Sequence, residues 1–226
     1  MDMQMTNRVP DWLTPVAWTY IVLLLIAAAY IAFDIYARRH RHSSVAAELV
    51  WVTSGLYLGP FAVPLYHRHR RLHAFGDPAE RAGTQQPVAV AGLPGGSASA
   101  VAHLVGVPLV IASGLTIAGI DLWVMIIVIG VLAMALLFVY ERTASREGPA
   151  RTLTVGAAAA AAVLTVLGFD IGMGGWMLLL HFNEFMPPAT EGTFWFLMQV
   201  GIVIGLFTGY PVVTWLSRRR QSVVPA

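Results

Sequence analysis

The chain is built from long apolar stretches joined by short polar links, with little alternation inside the stretches. Six apolar stretches stand out, at about 13–36, 45–66, 99–120, 122–140, 153–182 and 194–216. Each approaches or exceeds the roughly 20 residues that cross about 30 Å of hydrocarbon at 1.5 Å per residue. The third and fourth are separated only by Gly119-Ile120-Asp121, which predicts a tight antiparallel hairpin. The fifth is long and must tilt or project. The expected fold is all-α: an integral membrane bundle of about six transmembrane helices, forming a single membrane domain over 1–226. One long link, 67–98, opens with His67-Arg68-His69-Arg70-Arg71 and closes with Gly92-Leu93-Pro94-Gly95-Gly96-Ser97. Its polar middle predicts a flexible loop.

Composition supports the membrane assignment. Hydrophobic residues make up 57% of the chain and charged residues 12%, about half the charged share of a soluble domain. There is no cysteine, so disulfides, thiolate metal sites and cysteine nucleophiles are excluded. All 14 basic residues are arginine. With abundant alanine, glycine and valine, this is the composition expected of a GC-rich, bacterial genome. Arg8, the apolar Ile21–Ile26 and Ala27-Ala28-Ala29 mimic a signal peptide. The apolar run continues to Phe33, however, and a retained helix explains that better.

Arginine placement predicts topology, because cytoplasmic links carry the excess of basic residues. Six crossings with a cytoplasmic N-terminus put 11 arginines inside and three outside. If segment 45–66 re-enters instead, the N-terminus is outside and the count becomes 13 against one. Glu48, Gly55, Gly59, Pro60 and Pro64 in that segment, with arginines on both flanks, suit re-entry. Prolines are nevertheless tolerated in spanning helices, and six crossings with both termini cytoplasmic in the cell membrane is the expectation. The arginine clusters also predict contact with anionic lipids and give no case for nucleic acid.

Glycines recur at four-residue spacing: Gly201, Gly205 and Gly209; Gly168 and Gly172; Gly55 and Gly59. Residues four apart share a helix face, so these form grooves for close helix packing. Packing within the chain is the first expectation, and a homo-oligomer or membrane-partner face the second. Trp12, Trp18, Trp195 and Trp215 fall near span ends, where indole rings favour the interface.

Ionisable residues inside spans are costly and usually have a purpose. They are Asp34, Glu48, His103, Glu141, Asp170 and His181, with Glu184 just beyond a span and Gln199 as a neutral companion. Asp170 has only apolar residues or glycine for ten positions on either side, apart from Thr165. Asp170, Met173, Met177 and His181 share one helical stripe. Carboxylate, thioether and imidazole suit a metal ion, methionine favouring copper(I); the competing reading is a hydrogen bond from Asp170 to Gln199 or another helix. The candidate metal ligands are therefore His103, Asp170, Met173 and His181. His103 is placed about one turn into the third span, on the same side as Glu141. Asp34 and Glu48 are expected to cap helices or to pair with Arg38 and Arg39. Five of seven histidines lie in the basic runs 38–42 and 67–73, read as stop-transfer clusters with some capacity for divalent metals. No nucleophile elbow, P-loop, dinucleotide fingerprint, H-E-x-x-H or haem motif occurs, and nothing argues for an enzyme.

Phe194-Trp195-Phe196-Leu197-Met198-Gln199 running on to Tyr210-Pro211 and Trp215-Leu216 resembles the closing helix of a bacterial and archaeal membrane family, domain of unknown function 4396. Asp170-Ile171-Gly172-Met173-Gly174-Gly175-Trp176-Met177 resembles its preceding helix, Leu56-Tyr57-Leu58-Gly59-Pro60 its second and Asp34-Ile35-Tyr36 its first. In that family a histidine is followed directly by cysteine, with another cysteine in the same helix. Here His103 is followed by Leu104, and Gly106 by Val107 and Pro108. The histidine matches and the thiols do not, so the resemblance implies no thiol-metal role for this chain and supplies no activity.

Overall fold

The computed structural model describes residues 8–42, 44–75, 90, 92–147 and 154–222. Among them there is no strand, and six stretches are long and apolar enough to cross a membrane. The helices are α1 (Leu13–Tyr36), α2 (Val45–Leu58), a 3-10 turn (Gly59–Phe61), α3 (Ala62–Phe75), α4 (Leu93–Ser113), α5 (Asp121–Glu147), α6 (Val155–Phe182) and α7 (Gly192–Ser222).

α2 and α3 form one apolar stretch broken at its centre. Gly59 has φ +57°, a left-handed conformation that costs glycine nothing, and Pro60 then opens the 3-10 turn. The break reverses the chain. The rings of Trp51 on α2 and His69 on α3 are 5.0 Å apart, whereas a continuous helix would separate those residues by about 27 Å. Trp51 also meets Tyr66 edge-on at 5.5 Å. The pair is therefore a helical hairpin: α2 descends beside α1, turns at Gly59, and α3 climbs back to the end where α2 began.

Close packing fixes that path. A Cβ on Gly55 would stand 2.7 Å from the Cα of Ala28, and Gly59 lies against Leu24. The break frees backbone carbonyls in an apolar stretch, where each needs a donor inside the protein. The Tyr20 hydroxyl donates to the Tyr57 carbonyl at 3.3 Å. Replacing Gly55 with alanine should force α2 off α1 at a cost of about 1–3 kcal/mol. Thermal unfolding of the detergent-solubilised variant checks this; an unchanged Tm would mean the helices are not in backbone contact.

The remaining helices run alternately up and down. α6 and α7 are antiparallel, with Phe169 covering Gly205, Met173 and Trp176 covering Gly201, and Val212 covering Gly168. Their glycine grooves are thus filled from within the chain. α1 and α7 are parallel, since Trp18 covers Gly192 and Tyr20 meets Phe196 at 5.3 Å. Arg8 pairs with Glu184 at 3.1 Å, tying the start of the chain to the α6–α7 link. α4 begins beside α2, where Ser97 donates to the Val50 carbonyl. One end of the bundle therefore carries residues 8–12 and the α4–α5 and α6–α7 links. The other carries the α1–α2 link, the end of α3, the start of α4 and the end of α7.

Several boundaries differ from expectation, with α5 running on to Glu147 and α7 to Ser222. α4 starts at Leu93, not 99, because Gly95, Gly96, Ser97 and Ser99 are buried helix surface rather than linker. Tyr57 rests on Gly96, and small residues admit such contacts between helices. α4 stops at Ser113, where Gly114 caps it with φ +63°; the α4–α5 link is 114–120, closed by backbone pairing of Ile117 with Ile120. The expected loop 67–98 is helical to Phe75 and again from Leu93, and its remainder, except 90 and 92, lies outside the described residues.

Candidate functional site

The densest polar assembly lies at the open end of the hairpin. Asp34, on the last turn of α1, is wholly buried. One carboxylate oxygen accepts from the Tyr66 hydroxyl at 2.9 Å and from Arg70 at 2.7 Å. The other lies 3.2 Å from His40 Nδ1 and 3.5 Å from Arg38. Tyr66 and Arg70 are on α3, so Asp34 fastens the returning arm to α1. A buried carboxylate is tolerable only with such partners.

Glu48 lies in the first turn of α2, behind the Ser44 cap, and is 1% exposed. Its Oε1 accepts from Arg41 at 2.6 Å and from the His42 backbone N–H at 3.1 Å. That hydrogen bond raises the Arg41 guanidinium above its ordinary pKa. The second oxygen, Oε2, is buried and has no hydrogen-bond partner among the described residues. Around these carboxylates the rings gather: His42 stacks on His69 with centroids 6.4 Å apart and planes 7° apart, and His42 meets Tyr66 at 5.7 Å. The Tyr30 hydroxyl bonds His67 at 2.9 Å. The basic runs 38–42 and 67–71, read separately in the sequence, thus form one site because the hairpin folds back.

The residues singled out as metal ligands are spread over the bundle. Met173 and Met177 are buried in the core, Met173 against Gly201 of α7. Asp170 is half-buried, its carboxylate against Gly130 of α5. His181, near the end of α6, meets the ring of Phe182 at 5.3 Å. Eleven residues of helix separate Asp170 from His181, about 16 Å, so the two do not share an ion. His103 is buried midway along α4, further from its start than expected, and its Nδ1 lies 2.8 Å from the Ser99 carbonyl. Its Nε2 is buried without a partner among the described residues, as is Gln199 Oε1. Among the described residues no group of three or more His, Asp or Glu side chains assembles to hold a metal. Asp34 pairs with Arg38 as expected. Arg41, rather than Arg39, holds Glu48.

Comparison with known proteins adds a family. The sequence profile described as Domain of unknown function (DUF4396) matches residues 85–221. The chain belongs to the DUF4396 family. The match covers α4 to α7. The first-helix and second-helix resemblances at Asp34–Tyr36 and Leu56–Pro60 lie outside it, so the hairpin and its carboxylates stand beyond the matched part of this DUF4396 protein. No curated protein and no solved structure matches the chain.

Proposed function

We propose that this DUF4396 protein takes up and releases a proton or small cation at a buried site on a re-entrant hairpin, with Glu48 as the acceptor. The observation that carries this reading is Glu48 Oε2, buried and without a donor among the described residues. A buried acceptor left unmatched is costly and rare in folded proteins. A proton or a cation on that oxygen removes the cost. Helices broken at membrane depth are also where transporters build ion sites. Asp170 and His103 are further polar groups within the helices, each without a carboxylate or arginine partner among the described residues.

The metal reading built on His103, Asp170, Met173 and His181 is weaker, since Asp170 and His181 stand too far apart for one ion. The accessory-subunit reading also loses ground, because Gly168, Gly172, Gly201 and Gly205 are covered by the chain's own side chains.

Orientation follows from charge. Every described arginine except Arg8 lies at the hairpin's open end, and Arg81 and Arg151 lie in links that start and finish there. That is the 13-to-one distribution of a chain with its C-terminus and hairpin mouth cytoplasmic and its N-terminus outside.

The test is proton flux into vesicles carrying the purified protein, driven by a potassium diffusion potential and read with an internal pH dye. Wild-type protein should acidify the lumen faster than protein-free vesicles, and Glu48→Gln should return the rate to that background while folding normally. Wild-type vesicles no faster than background, for protons and for sodium alike, would sink the proposal.

A further inference from the structure

We infer that the outer face of α3 binds the phosphate of an anionic phospholipid, through Arg68, Arg71 and His67. A cavity of about 350 Å³ is lined by Pro64, His67, Arg68 and Arg71. It is separate from the Asp34 and Glu48 contacts, which use Tyr66, Arg70 and Arg41. Neither Arg68 nor Arg71 meets a carboxylate among the described residues. His67 is held by the Tyr30 hydroxyl through Nε2, which fixes the ring and leaves Nδ1 for a ligand. Two guanidinium groups and an imidazole N–H are the donors a phosphate diester requires.

The occupant is a lipid because the face is amphiphilic along its length. Phe61, Pro64, Arg68 and Arg71 are all exposed and recur at helical spacing, so they form one stripe. Phe61, 75% exposed, sits at the apolar tip of the hairpin. The arginines sit at the open end, level with Asp34 through their neighbour Arg70. An acyl chain along Phe61 and Pro64 with its phosphate at Arg68 and Arg71 matches that order. A soluble anion uses only the top of the stripe. The polar–apolar register also fits the inner leaflet, where anionic lipids attract basic segments.

The experiment is native mass spectrometry of the full chain in detergent, titrated with phosphatidylglycerol or phosphatidylcholine of equal chain length. Phosphatidylglycerol should bind more tightly, and Arg68→Gln with Arg71→Gln should weaken it by roughly thirtyfold. Arg218→Gln with Arg219→Gln, at the same end but off the stripe, should change it little. Equal retention of both lipids, or equal loss in both double variants, would overturn the assignment. So would full displacement of bound phosphatidylglycerol by millimolar inorganic phosphate, which would assign the cavity to a soluble anion. A Phe61→Ser variant gives an independent check, since it should weaken the lipid and leave any binding of inorganic phosphate unchanged.

Discussion

Cysteines placed singly at Thr6 and at Gln221 should be labelled by a membrane-impermeant maleimide from opposite sides of the membrane. The native chain has no cysteine, so each signal belongs to one position. Cysteines at Arg39, Thr84 and Gln221 should share a side, and Asn183 should label with Thr6. The expectation rests on the hairpin. Five helices, α1, α4, α5, α6 and α7, run the length of the bundle while α2–α3 turns back, so crossing by those five should separate the chain ends. The difference is all-or-none at each site. A chain whose 45–71 segment crosses would instead label Thr6 with Gln221 and put Arg39 opposite both. In intact cells, Gln221 should be protected until the membrane is opened. Cytoplasmic labelling of Thr6 would contradict the charge argument even if the hairpin stood.

The hairpin was partly legible in the sequence. Gly55, Gly59, Pro60 and Pro64, and the arginines on both flanks, pointed to it, and the 13-to-one count favoured it. Apolar length argued the other way, because a stretch that folds back needs the same hydrophobicity as one that crosses. What decides between them is tertiary: the ring contacts of Trp51 with Tyr66 and His69. α1 was legible to the residue, since its apolar run ends at charged links. The start of α4 was not. Gly-Gly-Ser-Ala-Ser reads as linker by composition, and only Tyr57 on Gly96 and Thr165 on Gly95 show why it is helix.

The site was legible in its parts and not in its assembly. Asp34 with Arg38 is an i,i+4 pair, visible from spacing. Tyr66 and Arg70 lie more than thirty residues away, and no local pattern connects them to Asp34. The stripe from Asp170 to His181 shows the opposite limit. Spacing puts the four residues on one stripe, but Met173 meets Gly201 of α7 and Asp170 lies against Gly130 of α5, so the thioether packs against a helix. Periodicity says which residues look the same way and not what they look at.

Asp34→Ala should be the most destabilising single substitution at the site. It would strip Arg70 and Tyr66 of their shared acceptor and leave a partly buried guanidinium and a buried hydroxyl facing a void. Breaking a buried ion pair from one side costs about 3–5 kcal/mol, and the 34% exposure of the Arg70 side chain places this case toward the lower figure. Arg38→Gln should cost far less, under about 1 kcal/mol, because that side chain is 55% exposed and its contact is 3.5 Å. The informative variant is the pair Asp34→Asn with Arg70→Gln. Removing both charges leaves nothing stranded, so the double change should cost less than the sum of its parts. Unfolding in detergent, followed by tryptophan fluorescence, reads each of these variants and the two single changes of the pair. If Asp34→Ala unfolds at the wild-type midpoint, the carboxylate does not hold α3 against α1. Something else must then keep the returning arm in place, and the Tyr30–His67 bond is the one to break next.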